Sequence, residues 1–304
     1  MSCTSSDNNS RCANCGKSEE GSISLKSCTA CKLVKYCNRE CQSAHRPQHK
    51  KECRKRAAEL YDEKLFKQPP QRADCPICFL GIPTLCTGSK YMSCCGKLIC
   101  SGCILAPRYD NQGNEVDNRK CPFCRTRWHG SHEELMERMN KRIEKGDAYA
   151  IYQLGNYYVE GSSGFAQDYS KALEQWHRAG ELGHAMAYNS IGYAYKYGEG
   201  LEVDKKKAKH YYELAAMGGN EMARHNLGAT EQNAGNMERA LKHYMLAAEG
   251  GYTDSLKRIQ DLYKKGFASK DDYTQALQSY QAYLSEIKSD QRDKAAVYED
   301  YQYY

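Results

Sequence analysis

The placement of cysteine limits this chain more than any other feature of its sequence. All 17 cysteines lie in residues 1 to 130, most of them in Cys-x2-Cys pairs, and residues 131 to 304 hold none. The 7 prolines divide the same way, while 21 of the 25 tyrosines fall in the second part. Two kinds of polypeptide have been joined, in a length of 304 residues that gives room for two or three domains of roughly 100 to 200 residues. No stretch approaches the roughly 20 apolar residues of a membrane helix, and residues 1 to 10 have neither a basic start nor an apolar core. The expectation is a soluble protein, not secreted, in the cytoplasm or nucleus. Reducing compartments do not sustain disulfide frameworks, so paired cysteine there reads as thiolate metal sites.

The formal net charge of +6 divides unevenly, with 22 Lys/Arg against 12 Asp/Glu in residues 1 to 130 and 22 against 26 in the remainder. That count treats every cysteine as neutral. A zinc site of four thiolates contributes +2 minus 4, and one of three thiolates and a histidine +2 minus 3. Three sites of the first kind and one of the second total about minus 7, which brings +6 to about minus 1. A nucleic-acid partner is therefore not expected, and no aromatic stripe interleaved with Lys/Arg argues for one.

Residues 12 to 53 place Cys12, Cys15, Cys28, Cys31, Cys37, Cys41, His49 and Cys53 at intervals of 2, 12, 2, 5, 3, 7 and 3 residues. Eight N/S donors make two tetrahedral zinc sites, and so polar a segment cannot hold itself together by apolar burial. Tyr36-Cys37-Asn-Arg-Glu-Cys41-Gln42 followed by His49-Lys-Lys-Glu-Cys53 resembles the C-terminal half of the MYND zinc finger. The resemblance implies interleaved sites, Cys12, Cys15, Cys37 and Cys41 on one ion and Cys28, Cys31, His49 and Cys53 on the other. His45, a solvated helix histidine, and Cys3 are left over. MYND fingers bind proline-containing peptides partly through an aromatic ring that stacks on proline. Arg46 stands where that ring is usual, so the finger presents either a proline-peptide groove or some other surface.

Beyond a helix and a break at Pro69-Pro70, a second octet comprises Cys75, Cys78, Cys94, Cys95, Cys100, Cys103, Cys121 and Cys124, at intervals of 2, 15, 0, 4, 2, 17 and 2. This is the spacing of a cross-brace: Cys75, Cys78, Cys100 and Cys103 on one ion, Cys94, Cys95, Cys121 and Cys124 on the other. Cys75-Pro-Ile77-Cys78, Cys95-Gly-Lys97-Leu-Ile-Cys100-Ser-Gly-Cys103 and Cys121-Pro122-Phe-Cys124-Arg125 resemble an all-cysteine RING finger. Lys97 stands near the usual RING histidine and is no ligand. Adjacent Cys94 and Cys95 must serve on a kinked backbone, with Cys86 as the spare donor. RING fingers act as ubiquitin ligases by positioning a charged conjugating enzyme, without a nucleophile of their own. By that resemblance Ile77 and Pro122 contact the conjugating enzyme, and Arg125 hydrogen-bonds it and ubiquitin together. The tryptophan often found between the sixth and seventh ligands is absent, and Ile77 and Pro122 serve either that contact or the module's own packing.

Residues 131 to 304 repeat. Ala172, Ala208, Ala240 and Ala276 recur at 36, 32 and 36 residues, with Asp168, Asp204, Asn236 and Asp272 four positions before them as helix caps. Gly183, Gly219 and Gly251 follow as left-handed helix ends. A preceding helix in each unit, closed by Gly161, Gly198 and Gly266, makes αα-hairpins. Tyr197-Gly-Glu-Gly200 through Lys207-Ala208 to Ala215-Ala216 resembles the Sel-1-like repeat, a relative of the tetratricopeptide repeat. A solenoid follows in which Gly and Ala admit close helix approach and Tyr rings fill the gaps, their hydroxyls hydrated. Ser131-His-Glu-Glu134 is a capping-box start to a lone covering helix.

The expected fold class is mainly α, an αα-hairpin repeat solenoid preceded by MYND-like and RING-like zinc-stabilised modules. The order is a disordered start (1–10), the MYND-like finger (11–53), a helix and linker (54–72), the RING-like finger (73–127), a capping helix (131–146), repeats (147–285) and a polar tail (286–304), disordered or a frayed helix. The function expected is a zinc-binding adaptor with four Zn2+ ions and protein or peptide partners. It is either a RING-type ubiquitin ligase that presents a protein held by the repeats to a conjugating enzyme, or a non-catalytic scaffold.

Overall fold

The computed structural model describes residues 11–19, 24–84, 88–108, 112, 116 and 119–298. The expectations for residues 1–10, Cys3, Cys86 and the end of the tail, 299–304, lie outside them. The chain forms two compact units, residues 1–67 and 68–304.

The first unit pairs a short antiparallel hairpin, β1 (Lys26–Ser27) and β2 (Lys35–Tyr36), with a helix, α1 (Arg39–Leu65). Asn38 caps α1 by accepting from the Cys41 amide at 2.8 Å. The helix does not stop at the last MYND-like ligand. It continues to Leu65, so the helix expected within 54–72 is the last part of α1 and residues 66–72 are left as the linker; nothing from Arg54 to Leu65 opposes helix and Arg56 pairs with Glu59 and Glu63 one and two turns on.

The second unit begins with the hairpin β3 (Ser89–Met92) and β4 (Lys97–Cys100), followed by α2 (Ser101–Leu105) and a 3-10 turn, Ala106–Arg108. The covering helix α3 (His132–Glu144) comes next, with Ser131 Oγ accepting from the Glu134 amide at 3.2 Å. Glu134 does not return the bond to Ser131 and instead accepts from the Gly130 amide at 2.8 Å.

Four hairpins make up the array: α4 (Ala148–Glu160) with α5 (Tyr169–Glu181), α6 (Ala185–Tyr197) with α7 (Lys205–Met217), α8 (Glu221–Asn233) with α9 (Met237–Glu249), and α10 (Thr253–Lys264) with α11 (Lys270–Ile287). Each helix packs on its neighbours in sequence. Within three hairpins a glycine of the first helix lies under an aromatic ring of the second: Gly155 under Trp176, Gly192 under Tyr212 and Gly228 under Tyr244. A Cβ on these glycines would meet ring carbons at 2.5, 2.7 and 2.6 Å. The rings are core, as expected, but their polar atoms are not all hydrated. Trp176 Nε1 donates to Asn156 Oδ1 and the Tyr244 hydroxyl to Gln232 Oε1, while the Tyr212 hydroxyl is buried with no partner among the described residues.

Asp168 and Asp204 cap α5 and α7 as expected. Asn236 occupies the cap position of α9 without a capping bond, and its amide donates to Glu231 Oε2 at 2.8 Å. In the fourth unit Ser269 is the cap and Asp272 its reciprocal partner one turn in, because Ser-Lys-Asp-Asp starts the helix three residues earlier.

The tail differs most from expectation. Helix α11 continues to Ile287, which is fully buried, and α12 (Asp290–Ala295) follows, capped by Ser289. Ala295 enters the core of the RING-like module beside Ile99 and Ile104. Arg292 is fully buried and its guanidinium donates to the carbonyls of Gly81 (2.8 Å), Ile287 (2.7 Å) and Leu80 (3.2 Å). A polar six-residue helix is held here by carbonyl acceptors that composition does not reveal.

Candidate metal centres

Cysteines are brought together by a repeated local device. At Cys12, Cys28, Cys75 and Cys121 the first Cys of a Cys-x2-Cys pair accepts, through its carbonyl, a bond from the amide four residues on: Gly16, Lys32, Phe79 and Arg125, at 2.9, 3.0, 2.9 and 2.9 Å. Each of those four residues has positive φ, at 71°, 61°, 59° and 62°. Only one of them is glycine, so three side chains accept left-handed backbone to close the turn. At Cys12, Cys28 and Cys75 amides of the turn bond the first sulfur.

Four tetrads result: Cys12, Cys15, Cys37 and Cys41; Cys28, Cys31, His49 and Cys53; Cys75, Cys78, Cys100 and Cys103; and Cys94, Cys95, Cys121 and Cys124, with ligand atoms in each within 4.8 Å of one another. These are the sixteen residues and the four pairings that the sequence led us to expect. Neighbouring sulfurs stand 3.6 Å apart for Cys15–Cys37 and Cys37–Cys41, 3.7 Å for Cys28–Cys53 and Cys78–Cys100, 3.9 Å for Cys95–Cys121 and 3.4 Å for Cys94–Cys124. Cys31 Sγ lies 3.2 Å from His49 Nε2. A disulfide would need about 2.05 Å, whereas four sulfurs at about 2.3 Å from a central zinc lie about 3.8 Å apart. All described cysteines are free.

Proton energetics also fit a divalent cation. Burial opposes ionisation of Cys12, yet the amides of Cys15, Cys37 and Asn14 outweigh it and hold its thiol at about 6, while Cys37 is pushed up to about 12 by its hydrogen bond with Cys41 and by burial. Burial likewise opposes ionisation of Cys28, whose thiol is held at about 6 by the Cys31 amide and His49, and burial together with Cys28 pushes Cys53 up to about 12. In each of these two clusters one thiol is held low and another pushed up. A divalent cation at the centre would favour the thiolate form of the raised sulfurs Cys37 and Cys53.

The adjacent pair Cys94 and Cys95 reaches one cluster because the backbone kinks as required. Gly96 takes φ 69°, and the amides of Cys95 and Gly96 both donate to the Met92 carbonyl, at 3.1 and 2.7 Å. Helix α3 braces this kink: Arg142 donates to the carbonyls of Ser93 (3.2 Å) and Cys94 (2.8 Å). Asp147, the cap of α4, accepts from the Tyr91 hydroxyl at 2.6 Å, and Tyr91 stacks on Tyr149. At the other RING-like cluster Arg292 reaches Cys78 Sγ at 3.7 Å. Sequence reasoning missed Arg142, Asp147 and Arg292, each an ordinary charge in a helix or cap whose partners are remote in sequence. Lys97 is exposed and outside the clusters. His45 is also no ligand, but it is not simply solvated: its Nδ1 meets the Tyr36 hydroxyl at 3.0 Å and its ring stacks on His49.

Ile77 is half-buried against the RING-like core, Pro122 is half-buried, and Arg125 is exposed with no side-chain partner among the described residues. Phe79 and Phe123, 77% and 42% exposed, stand on the same two turns. All five residues of α2 are buried, and α12 packs on that helix. A Cβ on Gly102 would meet the Arg292 amide nitrogen at 2.8 Å.

Among the described residues no helix is long and apolar enough to cross a membrane. The family model of the MYND finger matches residues 12–53, and that of the Sel1 repeat matches 148–184, 185–220 and 223–252. The chain is 29% identical over 117 residues to the "ERAD-associated E3 ubiquitin-protein ligase component HRD3B" of Arabidopsis thaliana, covering 38% of this chain and 18% of that protein. It is 31% identical over 121 residues to human "Protein sel-1 homolog 2", covering 38% and 17%. It thus spans less than a fifth of the length of these curated relatives. Among solved structures it is similar to a Sel1 repeat protein from Oxalobacter formigenes, at 28% identity and a TM-score of 0.45 over 52% of this chain and 65% of that one. Residues 12–53 are a MYND zinc finger, and residues 148–252 hold three Sel1 repeats.

Proposed function

We propose that this protein is a zinc-organised interaction adaptor that holds four Zn2+ ions, binds partner proteins through its finger and its repeats, and uses the RING-like module to recruit a ubiquitin-conjugating enzyme. The observation that carries the reading is the cross-braced pair of tetrads, which sets Ile77 and Phe79 on one zinc turn and Pro122, Phe123 and Arg125 on another, all at least partly accessible. Apolar side chains on rigid turns bind at low entropic cost, and an unpaired guanidinium offers a planar fork to carbonyl oxygens. Zinc in these sites supplies cross-linking, and the chemistry of transfer would belong to the recruited enzyme. The partial similarity to a protein named as a ligase component supports a place in ubiquitin chemistry.

A second reading is favoured by one observation: α2 is wholly buried under the chain's own α12, which leaves only the turn tips to a conjugating enzyme. On that reading the module is a non-catalytic brace within a scaffold. Self-ubiquitination with a panel of conjugating enzymes separates the two. The ligase reading predicts transfer that falls at least tenfold in Ile77→Ala and Arg125→Ala with zinc content unchanged. Transfer that persists in Ile77→Ala combined with Cys75→Ser, or that no conjugating enzyme supports, leaves the scaffold.

A further inference from the structure

The face of α1 that presents His49 and Cys53 to zinc also carries a line of cations. Arg39, Arg46, Lys50 and Arg54 follow one another at 7, 4 and 4 residues. At 3.6 residues per turn these positions share one face, and at about 1.5 Å per residue the line is roughly 22 Å long. With Gln42 and Ser43 they form one side of a cleft of about 410 Å³, whose other side is Tyr36 and the zinc turn Cys28-Thr29-Ala30.

Among the described residues no carboxylate lines this cleft. The four cations are exposed, and none has an ion-pair or hydrogen-bond partner through its side chain among the described residues. Arg56, further along the same helix, is by contrast engaged by Glu59 and Glu63 at 3.0 and 2.9 Å. The adjacent tetrad, holding zinc with three thiolates and one imidazole, carries only a single negative charge. Four uncompensated cations outnumber it, so the cleft is complementary to an anion that runs along the helix.

Its shape and lining select among anions. Three of the four cations are arginines, whose forks pair bidentately with carboxylates. A nucleic acid strand would need rings on which to stack. Among the described residues Tyr36 is the one tyrosine, tryptophan or phenylalanine in the lining, and it is 3% exposed with its hydroxyl engaged by His45. A proline-rich apolar segment would need an exposed ring too, and Arg46 occupies that place on the helix.

We propose that this cleft docks an extended acidic segment of a partner protein, about seven residues long, its carboxylates paired with Arg39, Arg46, Lys50 and Arg54. Gln42 and Ser43 are placed to hydrogen-bond the peptide backbone. The proposal stands whether or not the RING-like module engages a conjugating enzyme.

Fluorescence anisotropy with the full-length zinc-loaded protein tests it. The probe is a labelled peptide of about seven residues alternating Asp or Glu with Ala. Binding is expected to weaken on the order of tenfold in Arg46→Glu and again in Lys50→Glu, and to fall as salt rises. Lys55→Glu, the same charge change on an exposed α1 residue outside the cleft, is expected to leave it unchanged. Zinc content and helical circular dichroism, unaltered in all three variants, keep folding out of the comparison. The proposal is overturned if the Asn/Gln counterpart or a proline-rich peptide binds equally well. Tighter binding of a phosphorylated peptide or of single-stranded RNA overturns it as well, as does indifference to both cleft reversals or an equal loss in Lys55→Glu.

Discussion

A left-handed residue after each of four Cys-x2-Cys pairs decides how these sulfurs are presented. The four clusters were legible in the sequence from the cross-brace spacing of the second octet and, for the first octet, from the interleaving that its resemblance to a MYND finger implied. Even the awkward pair Cys94–Cys95 carried its own signal, since a glycine follows at the one place where the chain must kink. Replacing Cys95 with Ser should remove one zinc from the chain by mass, whereas Cys86→Ser should leave the count intact, because the tetrad is complete without it. Arg292 had no such signal. Its partners are carbonyls more than 200 residues away for Gly81 and Leu80, and nothing in Ser289-Asp-Gln-Arg292 distinguishes a buried anchor from a solvated turn. Gly102 is the residue that lets the tail approach, so Gly102→Ala should cost about 1 to 3 kcal/mol in urea unfolding and expose α12 to hydrogen exchange. Unchanged exchange there would contradict the packing described.

Helices and their ends were read well where a side chain signalled its own backbone. Asp168 and Asp204 cap as expected, while the fourth unit starts at Ser269 because serine with a reciprocal aspartate outcompetes aspartate alone. The unread part is what the array buries. Burial lowers His184 and His225 to about 4 and His243 to about 3, against an ordinary value near 6.5. Below about 6.5 the unfolded chain takes up protons that these folded histidines refuse, so stability is lost as pH falls from 6.5 towards 4. Burial raises Glu221 to about 7, with the opposite sign: the folded acid binds a proton that the unfolded one does not, and stability is lost as pH rises from about 4.5 to 7. Three groups against one give a net loss on acidification, roughly 2 kcal/mol per histidine at pH 5 before Glu221 offsets one of them. Thermal unfolding of the repeats should therefore occur at lower temperature at pH 5 than at pH 7. A rise would place the histidines in water.

At the scale of the molecule, zinc and repeats are less separable than the sequence implies. Composition changes so sharply near residue 130 that a metal-dependent head and an independent solenoid look like separate bodies. In the structure α3 braces the Cys94 kink through Arg142, α12 enters the RING-like core through Ala295, and Arg72 reaches Glu286 at 2.8 Å while lying over the Tyr283 ring. Chelation is accordingly expected to unfold the MYND finger and also to lower the melting temperature of the repeats, whereas an insulated array would melt unchanged. All of this rests on sulfur held by metal. Native mass spectrometry of the intact chain is the most direct measurement: the account predicts four zinc ions bound to one polypeptide with every thiol recovered after metal removal. A metal-free chain whose mass is lower by two hydrogens for each cysteine pair would contradict it.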